Sequence, residues 1–348
     1  MATAVALGGP ITITATSEGK SGSSELTVAR PALAQGWTLT RPISVAAGAV
    51  AAPTGYSVML QFDHAALVGA GKSQASGNDL RVALWTGSGW VEHDRILDPG
   101  SSWNSPATRI WFRTQAEIPA NSTETGYYLH YGNPAAGSNP PSDPALVFLF
   151  SDDFESGNMS RWTQSGGTWS VVTSQAHRGT RSLGHGAEGP QGRRVVAEPE
   201  LDVADVYVDS WWRVSSMHPD FNSAQMARYR NNQMYYSLFC LCIGGSMGFN
   251  IASYFFGEYT DWQVPAGSPS ANTWMRVGTA MHGDTYHVFY NGVQVSLQDG
   301  LDDLPSGNIG FNKYVIPPGN QLWIDDVVVR KFVHPEPQAT VGTETLSP

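Results

Sequence analysis

Thr285-Tyr-His-Val-Phe-Tyr-Asn-Gly-Val-Gln-Val-Ser-Leu297 places two alternating apolar/polar runs on either side of Asn291-Gly292. Asn-Gly is the strongest short-range signal for a two-residue type I′ turn, because both central residues must take φ > 0. The stretch reads as a β-hairpin. Thr273-Trp-Met-Arg-Val-Gly-Thr-Ala-Met-His282 precedes it; Asn308-Ile-Gly-Phe311 and Gln321-Leu-Trp-Ile-Asp-Asp-Val-Val-Val-Arg330 follow. Successive strand-like segments of this kind predict an all-β fold.

Composition agrees. The 348 residues suit two domains, each able to bury its own core. Only 14% are charged, while glycine and aromatics are abundant, as in proteins of short strands and polar turns. A net charge of -10 argues against nucleic acid, whose phosphates require clustered Lys and Arg. The densest basic spots, Arg193-Arg194 and Arg228/Arg230, are small, and no apolar run is long enough to span a membrane. Cys240 and Cys242, two apart on a strand, stand roughly 6.5–7 Å from each other, at the edge of disulfide reach, and read as two buried thiols. Met1-Ala-Thr-Ala-Val-Ala-Leu-Gly-Gly-Pro10 lacks a basic n-region. We therefore expect either a trimmed fragment or a protein released without a signal peptide, as a virion protein is.

In order, residues 1–33 read as a hairpin, Pro10–Thr16 and Ser24–Arg30 around a Gly/Ser turn. Its open edges suit self-assembly by strand addition. Residues 35–148 form a β-sandwich with strands at 38–45, 56–62, 80–85, 89–96, 108–114 and 124–131. A Pro/Gly/Ser linker, Gly132 to Pro144, leads to a second unit at 149–334, and a polar tail, 335–348, follows the surface. No capped helix of period 3.6 stands out.

Three resemblances attach to these residues. The C-terminal strands, with Phe148-Leu-Phe-Ser-Asp-Asp-Phe-Glu155 and the Ile324-Asp-Asp-Val327 strand, resemble a concanavalin-like (laminin-G-like) jelly roll. Trp37, Arg41-Pro-Ile43, Asn78-Asp-Leu-Arg-Val82, Ile110-Trp-Phe-Arg113, Ile118-Pro-Ala120 and Tyr128-Leu-His-Tyr-Gly-Asn133 resemble the family known only as domain of unknown function 2341. The hairpin looks like the end of a bacterial Ig-like domain. The resemblance implies two β-sandwich/jelly-roll domains in tandem, in carbohydrate-handling or adhesive proteins at cell surfaces. It also implies a structural Ca²⁺ where the first and last jelly-roll strands meet, with Asp153, Glu155 and Asp326 as ligands. The plainer reading has the first acids capping a turn and Asp326 facing water.

Catalytic signatures are absent. No Glu-x-Asp-x-x-Glu strand supplies the paired carboxylates of a jelly-roll glycosidase. Glu258 and Asp261 among Tyr254, Tyr259 and Trp262 come nearest, and Arg228, Tyr229, Arg230, Tyr235, Tyr236 and His287 offer lyase-type groups without a fixing pattern. There is no phosphate cradle or zinc spacing. Binding remains. Residues 206–214 alternate so that Tyr207, Asp209, Trp211 and Arg213 share one face, a platform for stacking sugar C–H patches. Tyr259 and Trp262 would extend it; a covering loop over Trp211 is the competing picture. We expect a non-catalytic, glycan-binding or adhesive protein at an extracellular, cell or virion surface. The alternatives are a polysaccharide-active enzyme on the jelly roll and a structural capsid-decoration or filament subunit.

Overall fold

The computed structural model describes residues 8–17, 20–28, 33 and 36–347, apart from 166–168, 187–192, 217, 219, 232–233, 244–245, 256–257, 265–269 and 317. At 8–17, 20–28, 186, 193, 238–243, 246–250, 255, 258–264 and 314–315 the description covers the backbone alone. The architecture is two β-sandwiches in tandem behind a two-stranded hairpin. The hairpin strands, Gly8–Ser17 and Lys20–Val28, place Ser17 opposite Lys20, so the turn is tighter than the Gly/Ser run suggests.

The first sandwich packs a six-stranded sheet on a three-stranded one. In the larger sheet Leu39–Ala46, Thr123–Tyr131, Arg81–Trp85 and Trp90–His93 lie side by side; the smaller holds Ser57–Phe62, Thr108–Arg113 and Ile96–Leu97. The run expected as one strand, 89–96, divides. Trp90–His93 stays with Arg81–Trp85, while Ile96–Leu97 crosses to Thr108–Arg113. Arg95 anchors this corner: its Nε donates to the Leu80 carbonyl at 2.9 Å and its guanidinium lies 4.7 Å from the centre of the Trp103 ring. A short helix also appears, His64–Gly69, capped by Asp63, whose carboxylate accepts the Ala66 N–H at 2.8 Å. Six residues are too few for periodicity to reveal it.

The terminal segment read as a surface tail is part of this sandwich. Gln338–Val341 and Thr345–Leu346 both pair with Leu39–Ala46, and the Glu344 carboxylate accepts from Lys72 and from the Tyr131 hydroxyl. The first domain is therefore closed by the last residues of the chain.

The second sandwich packs eight strands on seven. Phe150–Asp152 pairs with Gln321–Lys331, so its first and last strands are neighbours, as expected. The hairpin predicted from Asn-Gly is present: Tyr290 faces Val293, with φ of 50° at Asn291 and 80° at Gly292. Between the sheets Trp212, Phe311, Trp162, Phe154 and Tyr236 form the core with aliphatics from both layers. The Gln225 amide crosses it. Gln225 donates to the Val208 carbonyl at 3.0 Å and to Thr279 Oγ1 at 2.8 Å, and accepts from Ser210 at 2.5 Å. Buried amides are tolerated only when bonded, and this one ties the two sheets together.

Candidate functional site

The Val206–Val214 strand alternates as its sequence requires: Val206, Val208, Trp212 and Val214 enter the core, and Tyr207, Asp209, Trp211 and Arg213 take the other face. That face is not the open platform expected of it. The first sandwich lies against it, and Tyr207 retains 5% exposure, packed on Ala280, Phe289 and Phe332. An alternating strand reveals which side chains leave the core, but not whether a second domain receives them.

Charges fix the contact. Arg276 Nε donates to Asp209 at 2.7 Å, while its two terminal nitrogens reach Asp98 of the first sandwich at 3.2 and 3.0 Å. Asp98 is fully buried and also accepts from the Trp111 indole at 2.9 Å and from Arg109 at 3.1 Å. Burial works against its charge, yet Arg276, the Trp111 N–H and Arg109 together hold the carboxyl below the usual range. Arg330 makes a second clasp. Its guanidinium lies between the rings of Trp111, at 4.8 Å, and Tyr207, at 4.2 Å, and pairs with Glu336, which also accepts from the Tyr56 hydroxyl. Arg113 and Ser57 bond the Val147 carbonyl, stiffening the linker's exit.

Between these clasps the sandwiches leave a cleft of about 570 Å³. Its walls include Tyr207, Trp211, Arg276 and Phe289 from the second sandwich, and Met59, Gly100, Arg109 and Trp111 from the first. The Asn291-Gly292 turn, exposed Val293 and Gln338 line its rim. Trp211 is half-buried, with its indole stacked on the His177 imidazole at 3.7 Å and 13°, and His177 is held in turn by Asp326 at 2.6 Å. Gly100 lets the domains approach: a Cβ there would stand 3.2 Å from the Trp211 ring and 3.0 Å from Arg109. Nothing in the sequence marks Asp98, Arg109 or Arg276 as partners of this strand, since they come from separate domains.

The other expected residues scatter. Arg213 bonds the Asn272 carbonyl beside the same strand. Tyr259 and Trp262 belong to Glu258–Val264, on the edge of the opposite sheet, in register with Tyr254 and with the core residue Ile251; their side chains, like those of Glu258, Asp261, Cys240 and Cys242, lie outside the described residues. Arg228 donates to the carbonyls of Ala204, Leu304 and Gly283, a purely structural placement. Its φ of 49° and the shifted register between Met226 and Tyr229 also break the strand's alternation at this point. Tyr229, Tyr235 and Tyr254 consequently line up, with ring centres 6.2 and 5.4 Å apart. Tyr236 belongs to the core, and His287 packs on Phe332 and His334.

Asp153, Glu155 and Asp326 line one hollow of about 580 Å³ but do not converge. Glu155 accepts from the N–H groups of Thr180 and Arg181 at 2.8 and 2.7 Å, Asp153 from the Glu155 N–H, and Asp326 from His177. Among the described residues no group of three or more His, Cys, Asp or Glu stands where a metal ion could be held. The carboxylates are satisfied within the protein instead.

No family model and no curated protein sequence matches the chain, so the resemblance of its first sandwich to the family of unknown function rests on the quoted residues. Solved structures are similar over about half of it. The carbohydrate binding module CBM66 from Bacillus subtilis aligns with a TM-score of 0.39 and 13% identity, covering 50% of this chain and 98% of that one. Cellulose induced protein Cip1 aligns at 0.39 and 17%, covering 56% and 99%. A Bacillus subtilis protein of unknown function with a galectin-like fold aligns at 0.40 and 13%, covering 53% and 96%.

Proposed function

We propose that the chain recognises a polysaccharide in the cleft between its sandwiches and does not cleave it. The observation carrying this reading is the fixed half-buried indole of Trp211, backed by His177 and lining an open cleft with Arg109 and the Asn291 turn around it. A ring held flat by its neighbour stacks on the C–H face of a pyranose without losing rotamer freedom, and guanidinium and amide groups at the edge take hydroxyls. Bond cleavage would need carboxylates free to exchange protons. The carboxylates at the cleft, Asp98, Asp209 and Glu336, each bind a guanidinium.

Glycan-array binding by the full chain tests this. Trp211→Ala should weaken it at least tenfold with the fold intact by circular dichroism, and a polysaccharide panel should release no reducing ends. Binding indifferent to Trp211→Ala, or released product, would overturn the reading. Such a ligand belongs to an extracellular, cell or virion surface, and no described helix is long and apolar enough to cross a membrane. The Gly8–Ser17/Lys20–Val28 hairpin pairs with no other described strand, and its edges are where a second copy would add.

A further inference from the structure

The outer face of the six-stranded sheet of the first sandwich carries a cluster that the cleft does not use. Leu129 and Tyr131 point into the core, so Tyr128 and His130 point away from it. Trp90, on the edge strand, sets its ring 5.3 Å from Tyr128 and 4.6 Å from His130, nearly perpendicular to both, and Trp85 lies 5.1 Å from Trp90. All three large rings are half-exposed, yet His130 beneath them retains 1% exposure.

The polar atoms here are unusual. Neither ring nitrogen of His130 has a hydrogen-bond partner, nor does the hydroxyl of Thr40, which faces His130 in register on the adjacent strand; the Trp85 indole N–H is also unpartnered. On its other side His130 faces Arg81, whose Nε pairs with Glu92 at 2.7 Å. A buried polar group without a partner costs about 1–3 kcal/mol, and two side chains of this kind, His130 and Thr40, stand in register with each other. Burial lowers the His130 pKa to about 4, so the imidazole is neutral and offers one donor and one acceptor.

We propose that this face is a second saccharide site, in which a sugar ring lies against Trp90 and Tyr128 and its hydroxyls bond His130, Thr40 and the Arg81–Glu92 pair. The chemistry selects the ligand. Only a compound that is apolar on one face and rich in groups that both donate and accept answers half-exposed rings set over an orphan imidazole and hydroxyl. A cationic ligand would meet Arg81, and an apolar one would leave the imidazole unbonded. Rotation of Trp90, on a four-residue edge strand next to the exposed Thr86–Ser88 turn, opens the way to His130.

The test uses the full chain carrying Trp211→Ala, so that the cleft does not contribute. Saturation-transfer NMR is recorded with tetrasaccharides of the glucan, xylan and chitin series. At least one is expected to bind, with affinity falling at least tenfold on Trp90→Ala and on His130→Phe, while Leu346→Ala changes nothing. His130→Phe keeps the ring volume and removes the orphan nitrogens, so its melting temperature should hold or rise. No binding in the Trp211→Ala background, or binding indifferent to both substitutions, overturns the proposal and leaves the imidazole as the seat of a buried water.

Discussion

Arg276 is the residue on which the arrangement of the two sandwiches turns. It touches Asp209 in its own sheet and Asp98 in the other domain, and both carboxylates are buried. Removing one partner of a buried pair strands the rest, at a cost of about 3–5 kcal/mol. Arg276→Ala should therefore split a single calorimetric unfolding transition into two, the first at lower temperature. Survival of one unshifted transition would show that the clasp of Arg330 suffices. Acid should act in the same direction. Asp98 has a lowered folded pKa, so its contribution is complete above the usual carboxylate pKa and is lost as pH falls through the lower folded value. His130 and His287, both lowered to about 4 by burial, contribute at a higher pH. Each is fully stabilising above its unfolded pKa near 6.5 and loses that contribution as pH falls toward 4. The melting temperature should decline through that window, and His130→Phe should flatten the decline.

Glycines decide several elements by what they omit. A Cβ on Gly310 would meet the Val195 carbonyl oxygen at 2.2 Å, inside the seven-stranded sheet, where no side chain can yield. Gly310→Ala should cost about 3 kcal/mol in urea unfolding, at the upper end for overpacking. At the founding hairpin, Gly292 takes φ of 80° with open space around it, so any penalty there is conformational. Gly292→Val should cost roughly 1–2 kcal/mol and loosen the cleft rim. The terminal strands Gln338–Val341 and Thr345–Leu346 can be judged by truncation. Stopping the chain at Pro337 uncovers the edge of Leu39–Ala46 and removes Glu344 from Lys72 and Tyr131. The first sandwich should then melt earlier, and a melt identical to that of the full chain would mean the terminal strands contribute nothing.

At the scale of the molecule, the first sandwich draws strands from both sides of the second, Leu39–Ala46 before it and Gln338–Val341 after it. Glu336 and Arg330, close in sequence, reach Tyr56, Trp111 and Tyr207, so the return crossing itself clasps the domains. If the hairpin edges recruit a second copy, deletion of residues 1–30 should reduce a concentration-dependent mass to that of one chain in light scattering. A mass unaffected by the deletion would remove self-assembly from the account.

Local pattern by itself determined the all-β class, both sandwiches, the Asn291-Gly292 hairpin, and which residues of Val206–Val214 leave the core. Period-two alternation and turn chemistry act over a few residues, and neither depends on distant partners. Only the tertiary structure decided that the outward face is covered by another domain, that Asp98 and Arg276 meet across 178 positions, and that the terminal strands complete the first sheet. It also set the positive φ at Arg228 that realigns Tyr229, and the edge-on placement of Trp90 over His130. These follow from how finished surfaces fit together, where packing between distant segments outweighs anything written in a short window of sequence.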